Sequence, residues 1–236
     1  MRNAPPRKDG PAALVYVHGV VRAAAAPRLG RTPGMPGATG GPRMVPVAAG
    51  YWMVVSDVPD TLYGDEPLRR QIEDLVWRER CAAVHRDALG RAMRGGPVVP
   101  LRLFTIFTSE AGAVSHVQAT LPTLTARLDH LEGRVEYGVQ LSHAPLMPLA
   151  GRQGRETAPR AQVLALIGPR AVDVRERPRP AGPGRVWLDL AVLVPAIEGP
   201  AFVRAVRTAD RDLRAGGHEL ALTGPWPPFS FATTET

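Results

Sequence analysis

Asp65-Glu-Pro-Leu-Arg-Arg-Gln-Ile-Glu-Asp-Leu-Val-Trp-Arg-Glu-Arg-Cys-Ala-Ala-Val-His-Arg-Asp-Ala-Leu-Gly-Arg-Ala-Met-Arg-Gly-Gly96 is the clearest helical stretch of the chain, and its flanks decide the fold class. Two acidic residues open it, Pro67 suits a first helical position, and Gly95-Gly96 stops it. Leu68, Ile72, Leu75, Val76, Ala83, Val84 and Met93 form the expected apolar stripe, with Arg69, Arg70, Glu73, Asp74 and Arg80 on the other side. Upstream, Ala13-Leu-Val-Tyr-Val-His-Gly-Val-Val21 and Tyr51-Trp-Met-Val-Val-Ser56 read as strands. Downstream, Pro97-Val-Val-Pro-Leu-Arg-Leu-Phe-Thr-Ile-Phe107 reads as a buried strand. A second helix opens at Ser109-Glu110, breaks near Pro122 and ends around Gly133. Arg134-Val-Glu-Tyr-Gly-Val-Gln-Leu141 alternates as a fourth strand. The order β-β-α-β-α-β predicts an α+β lobe over 13–141, a mainly antiparallel sheet with helices packed on one face.

The remainder divides by composition. Residues 1–12 read as a flexible N-terminus, 22–43 as a Pro/Gly-rich loop inserted after the first strand, and 142–160 as a Pro/Gly-rich linker. A smaller α+β lobe is expected over 161–236. It has a short apolar element at 161–167, a hairpin pairing 172–177 with 185–194, an amphipathic helix over 198–215 with Phe202, Val203, Val206 and Leu213 inward, and a strand over 218–223. The tail Gly224-Pro-Trp-Pro-Pro-Phe-Ser-Phe231 is expected to be extended, because its prolines fix φ and withhold amide donors.

Charge and composition narrow the function. With 236 residues, 44% hydrophobic and 22% charged, the chain has material for real cores. Nowhere do about 18 apolar residues run together, so no membrane span is expected, and the first ten residues lack the apolar core of a secretory signal. A cytoplasmic protein follows as the expectation. The net charge of +7 is concentrated in Pro/Gly-rich segments: seven basic residues against one acid in 1–43, and eight arginines against three acids in 152–185. Those segments offer almost no aromatic ring for a base to stack on, so a basic nucleic-acid-binding protein stands only as an alternative reading.

No pattern assembles a reaction centre. The six histidines are scattered without His-Glu-x-x-His spacing, Ser109 and Ser115 lack a Gly-x-Ser-x-Gly context, and the one cysteine, Cys81, excludes both a disulfide framework and a Cys-cluster zinc site. Cys81 reads as a small buried side chain, with a thiolate promoted by neighbouring Arg78 and Arg80 as the alternative. Asp57 with Asp60, and Asp210 with Asp212, read as solvated carboxylates in a turn and on a helix face. The expectation is no enzyme, no cofactor and no metal; an unrecognised small-molecule enzyme is the minor alternative.

Six segments taken in order carry more. They are Val15-Tyr-Val-His-Gly-Val20, Val54-Val-Ser-Asp-Val-Pro59, Trp77-Arg-Glu-Arg-Cys-Ala-Ala-Val-His85, Val98-Val-Pro-Leu-Arg-Leu-Phe104, Leu131-Glu-Gly-Arg-Val-Glu-Tyr-Gly-Val139 and Leu222-Thr-Gly-Pro-Trp-Pro-Pro-Phe-Ser-Phe231. Together they resemble the gas vesicle protein F/L family (GvpF/GvpL). The chain departs from that pattern in a longer insert at 22–43 and a short, tyrosine-free stretch at 142–171 where the family carries a longer helical segment. The resemblance implies two α+β lobes of ferredoxin-like character and a non-enzymatic accessory role in gas vesicle assembly. It further implies that the partners are the hydrophobic shell protein and other accessory proteins, met in the cytoplasm at the vesicle.

Such a role calls for apolar or sheet-edge surface. Sheet edges and the aromatic tail are the candidates. Two readings of Trp226, Phe229 and Phe231 stand: docking into a partner's groove, or folding back to seal the seam between the lobes with Trp226 as the plug. Trp77 and His85 are expected to be internal packing. Arg102, mid-strand in an apolar run, needs a buried partner, and Glu136 is the candidate.

Overall fold

The computed structural model describes residues 13–143, 156–178 and 186–232. The expected flexible N-terminus, most of the expected linker and most of the turn of the 172–194 hairpin lie outside them. The chain divides into two compact units, Met1–Glu132 and Gly133–Thr236.

The first unit is built on β1 (Ala13–Arg22), β2 (Arg43–Ala48), β3 (Tyr51–Pro59), β4 (Val98–Pro100) and β5 (Ile106–Phe107). They form one antiparallel sheet in the order β2-β3-β1-β4, with β5 also on β1. Every residue from Val15 to Val21 is buried, so β1 is covered on both faces. One cover is α3 (Leu75–Ala92), through Cys81, His85, Ala88, Leu89 and Ala92. The other is the pair α4 (Glu110–Ala119) and α5 (Leu121–Leu131), through Ala113, Val117, Leu124, Leu128 and Leu131. Arg22 pairs with Asp129 and Glu132 below α5, and Tyr51 Oη lies 3.1 Å from Thr125 Oγ1 on that same side. Helices therefore cover both faces of this sheet, where one covered face was expected.

The long helix also departs from expectation. It is three pieces: α1 (Asp60–Tyr63), α2 (Asp65–Gln71) and α3. Asp74 restarts it, accepting from the Val76 and Trp77 N–H groups at 2.9 and 3.1 Å. The restart sets a new phase. Positions 81, 85, 88, 89 and 92 turn inward, Ala83 is exposed, and Leu75 and Val76 are left 61% and 62% exposed.

The insert 23–42 is ordered against the α3 side of the sheet. Leu29 and Met35 are buried, Tyr63 Oη donates to the Pro36 carbonyl at 2.9 Å, and Met35 packs with Tyr16, Val58 and Cys81. Strand β2, which follows it, went unread in the sequence because Pro46 interrupts Val45 and Val47.

The second unit carries β6 (Arg134–His143), α6 (Thr157–Ile167), β7 (Asp173–Glu176), β8 (Val186–Pro195), α7 (Gly199–Ala215) and β9 (His218–Trp226). The antiparallel order is β7-β8-β6-β9. This βαββαβ arrangement is ferredoxin-like and complete, since α6 supplies the first crossover. Strand β6, expected to close the first lobe, is a central strand here. Tyr137, Val139 and Leu141 face a core of Phe202, Val206, Leu213, Val163 and Ile167, and the alternation that marks a strand is silent about which sheet receives it. Gly133 (φ 67) turns the chain into β6.

Candidate interaction surfaces

In the first unit two of the histidines expected to be scattered, His18 and His85, meet in the core. Tyr16 Oη accepts from the Phe104 N–H at 3.3 Å and lies 2.8 Å from His85 Nδ1. His18 Nε2 is 2.9 Å from Ser56 Oγ, and the two imidazoles lie 5.2 Å apart. Burial holds both in the neutral form: His85 is pushed down to about 4, and His18 falls well below its usual value, with His85 as a second cause. Burial also pushes the Cys81 thiol up to about 11, so it is no thiolate near neutrality. Among the described residues no group of three or more His, Cys, Asp or Glu is placed to hold a metal ion. Proximity in sequence missed this cluster because β1 and α3 bring it together from 69 residues apart.

Trp77 is half-buried and stacks on Phe104 at 5.5 Å with the rings 7° from parallel. Phe104 sits at φ 66, in the left-handed region, on a turn. That turn separates β4 from β5 and breaks the alternation of the expected single strand. Arg102 is consequently exposed on the turn, where Thr105 N–H and Oγ1 donate to its carbonyl at 3.2 and 2.8 Å. Arg102 and Glu136, expected to pair, belong to different units.

Glu136 is 3% exposed and is held by the tail of its own unit. The Ser230 N–H donates to Oε2 at 2.7 Å and the Ser230 hydroxyl to Oε1 at 2.8 Å. Arg177, which donates twice to Asp189 Oδ1 at 2.9 and 2.6 Å, stands 3.8 Å from Glu136. Arg175 Nη1 donates to the Ser230 carbonyl at 2.6 Å, and its guanidinium carbon lies 5.1 Å from the Phe231 ring centroid. Burial raises the Glu136 carboxyl, and the Ser230 donors and both arginines pull it back only in part. Of the three aromatics read either as docking into a partner or as folding back, Phe231 is buried at 4% exposure, while Trp226 and Phe229 are half-buried.

Sheet edges, the other expected capture surface, are guarded. Pro46 sits in β2, and Gln118 Nε2 donates to the Val47 carbonyl at 2.8 Å. Strand β7 is four residues, three of them charged, and β9 closes on Gly224-Pro225-Trp226. What stays open in the first unit is an apolar step of Ile72, Leu75 and Val76 at the α2–α3 break, 36%, 61% and 62% exposed. Exposed Arg69, Arg70, Glu73, Arg78 and Glu79 flank it along the chain.

An α+β protein of two sheet-based units, with apolar contact surface outside and neutral groups hydrogen-bonded within, is the class these features define. The chain belongs to the family described as gas vesicle synthesis protein GvpL/GvpF, whose model matches residues 14–150 and 147–233. It is 27% identical over 217 residues to gas vesicle protein L of Streptomyces sp. (strain CB03234), covering 76% of this chain and 79% of that one. Gas vesicle protein F of the same strain is 27% identical over 255 residues, covering 92% and 98%. The crystal structure of GvpF from Anabaena sp. PCC7120 superposes with a TM-score of 0.70 at 16% identity over 95% of this chain and 98% of that one. GvpF from Microcystis aeruginosa gives 0.69 at 14% identity over 94% and 100%. These two likenesses speak to the fold, and the family places the chain among gas vesicle accessory proteins. No helix among the described residues is long and apolar enough to cross a membrane.

Proposed function

We propose that this chain is a non-enzymatic accessory protein of gas vesicle assembly that works in the cytoplasm, without a cofactor and without nucleic acid. It binds the hydrophobic shell protein, and with it other accessory proteins, during nucleation or growth of the vesicle. The observation that carries the reading is the Ile72–Leu75–Val76 step. A folded protein with well-packed cores leaves two aliphatic side chains more than half exposed at one helix start, with exposed charged residues on either side in the chain. A small hydrophobic subunit is the partner that such a surface fits.

The test is co-expression of the full chain with the shell protein and pull-down, beside the double variant Leu75→Asp, Val76→Asp. The wild type captures the shell protein and the variant does not, while its unfolding free energy stays within about 0.5 kcal/mol of wild type, as for other exposed positions. A wild type that captures neither shell nor accessory proteins overturns the proposal.

A further inference from the structure

The face of the second sheet opposite its helices carries Glu136 and Gly138 of β6, Arg175 of β7, and Asp189, Ala191 and Leu193 of β8, brought level by the register. Ala191 and Leu193 are fully buried. Onto this face comes the segment 227–232, with Pro227, Pro228, Phe231 and Ala232 buried. Its attachment is unlike that of a strand. The β9 ladder ends at Trp226, opposite Glu136. Beyond it two backbone bonds close within the segment, Phe229 N–H to Pro227 O at 2.7 Å and Phe231 N–H to Pro228 O at 3.2 Å. The ties to the sheet described above come from two side chains, Glu136 and Arg175. They read one residue through its N–H, hydroxyl and carbonyl, and the next through its ring. A built receptor treats a short peptide in this manner, and detaching the segment breaks no ladder bond of the sheet.

We propose that this face is a peptide-binding site for an aromatic–hydroxyl–aromatic segment, filled in the free protein by the chain's own Phe229-Ser230-Phe231, and that a partner presenting such a segment displaces the tail. The Glu136 carboxylate selects the residue with both an amide and a hydroxyl to donate. Arg175 selects an acceptor carbonyl and a ring. The site is independent of the Leu75–Val76 step and of what that step binds.

A fluorescent peptide, Trp-Pro-Pro-Phe-Ser-Phe-Ala, is titrated against the full chain and against its Ser230→Asp variant. In wild type the tethered tail competes at high effective concentration. In the variant a second carboxylate beside Glu136 keeps the tail off, so the peptide binds at least tenfold tighter, and adding Glu136→Gln abolishes the gain. Amide exchange in the wild type gives a reading that needs no variant: the Ser230 amide exchanges at least tenfold faster than that of Val139 in β6, through local release of the tail. Equal exchange at the two amides, or a folded Ser230→Asp chain with unchanged peptide affinity, overturns the proposal. If Ser230→Asp does not fold, the exchange comparison decides.

Discussion

The two units solve one problem in two ways. Both order their strands alike: β4-β1-β3-β2 in the first and β9-β6-β8-β7 in the second. In the second, α6 and α7 share one face, and the tail is clamped to the other by Glu136 and Arg175. In the first, the ordered insert 23–42 stands where a first crossover helix would run, and α4 and α5 cover the far face with five buried apolar side chains. A sheet face closed by helices is part of the core. One closed by a short proline-rich strap is held by four buried side chains and a few polar contacts. Each unit buries a pair of imidazoles, His18 with His85 in the first and His143 with His218 in the second, and the second adds a carboxylate, Glu136.

The largest effect that tests this contrast compares two phenylalanines of the second unit. Phe202→Ala, under α7, should cost about 4 kcal/mol, the range for an aromatic removed from a closed core. Phe231→Ala should cost less than about 2 kcal/mol, because the strap lifts where a walled cavity would otherwise remain. Equal losses in equilibrium denaturation would make the strap core and erase the distinction.

Acid should separate the units next. Between the usual histidine value of 6.5 and about 4, the unfolded chain binds a proton at His85 and the native chain does not. The stability present above 6.5 is therefore lost as pH falls through that window, by roughly 2–3 kcal/mol from pH 7 to 4.5, and His18 adds loss of the same sign. Glu136 acts oppositely: its raised pKa favours the native state at low pH, and that advantage fades as pH rises through the raised value. Exchange protection measured at the two pH values should fall in the first unit more than in the second. A first unit as protected at pH 4.5 as at pH 7 would sink this account.

The smallest effect concerns a glycine in the first strand of each unit. A Cβ at Gly19 would meet the Val99 carbonyl at 2.6 Å and Leu89 Cδ2 at 2.8 Å, so backbone must move. Gly19→Ala should cost about 2 kcal/mol. At Gly138 the near atoms are Thr223 Oγ1 at 2.6 Å and Arg177 Nη2 at 2.9 Å. Both are side-chain atoms: Thr223 must turn about its Cα–Cβ bond and the Arg177 end, held by Asp189, must shift, so Gly138→Ala should cost about 1 kcal/mol, less than a change that moves backbone. Denaturant midpoints of the two variants check the ordering.

Local pattern in the sequence was enough to place β1, β3, the Ser109 cap, the break near Pro122, the β7–β8 hairpin and α7 with Phe202, Val206 and Leu213 inward. Each rests on neighbours in the chain: β-branched runs, a capping hydroxyl, 3.6-residue periodicity. The exposed apolar step was hidden inside a stripe read as inward, because Asp74 restarts the helix and shifts its phase. Only the tertiary structure decided that β6 joins the second sheet, that Glu136 accepts from Ser230, that His18 and His85 meet, and that Phe231 turns inward. Residues fix their own backbone state through contacts a few positions away. Which sheet, which ion pair and which face they meet is settled by segments tens of residues distant, whose energies the local pattern does not carry.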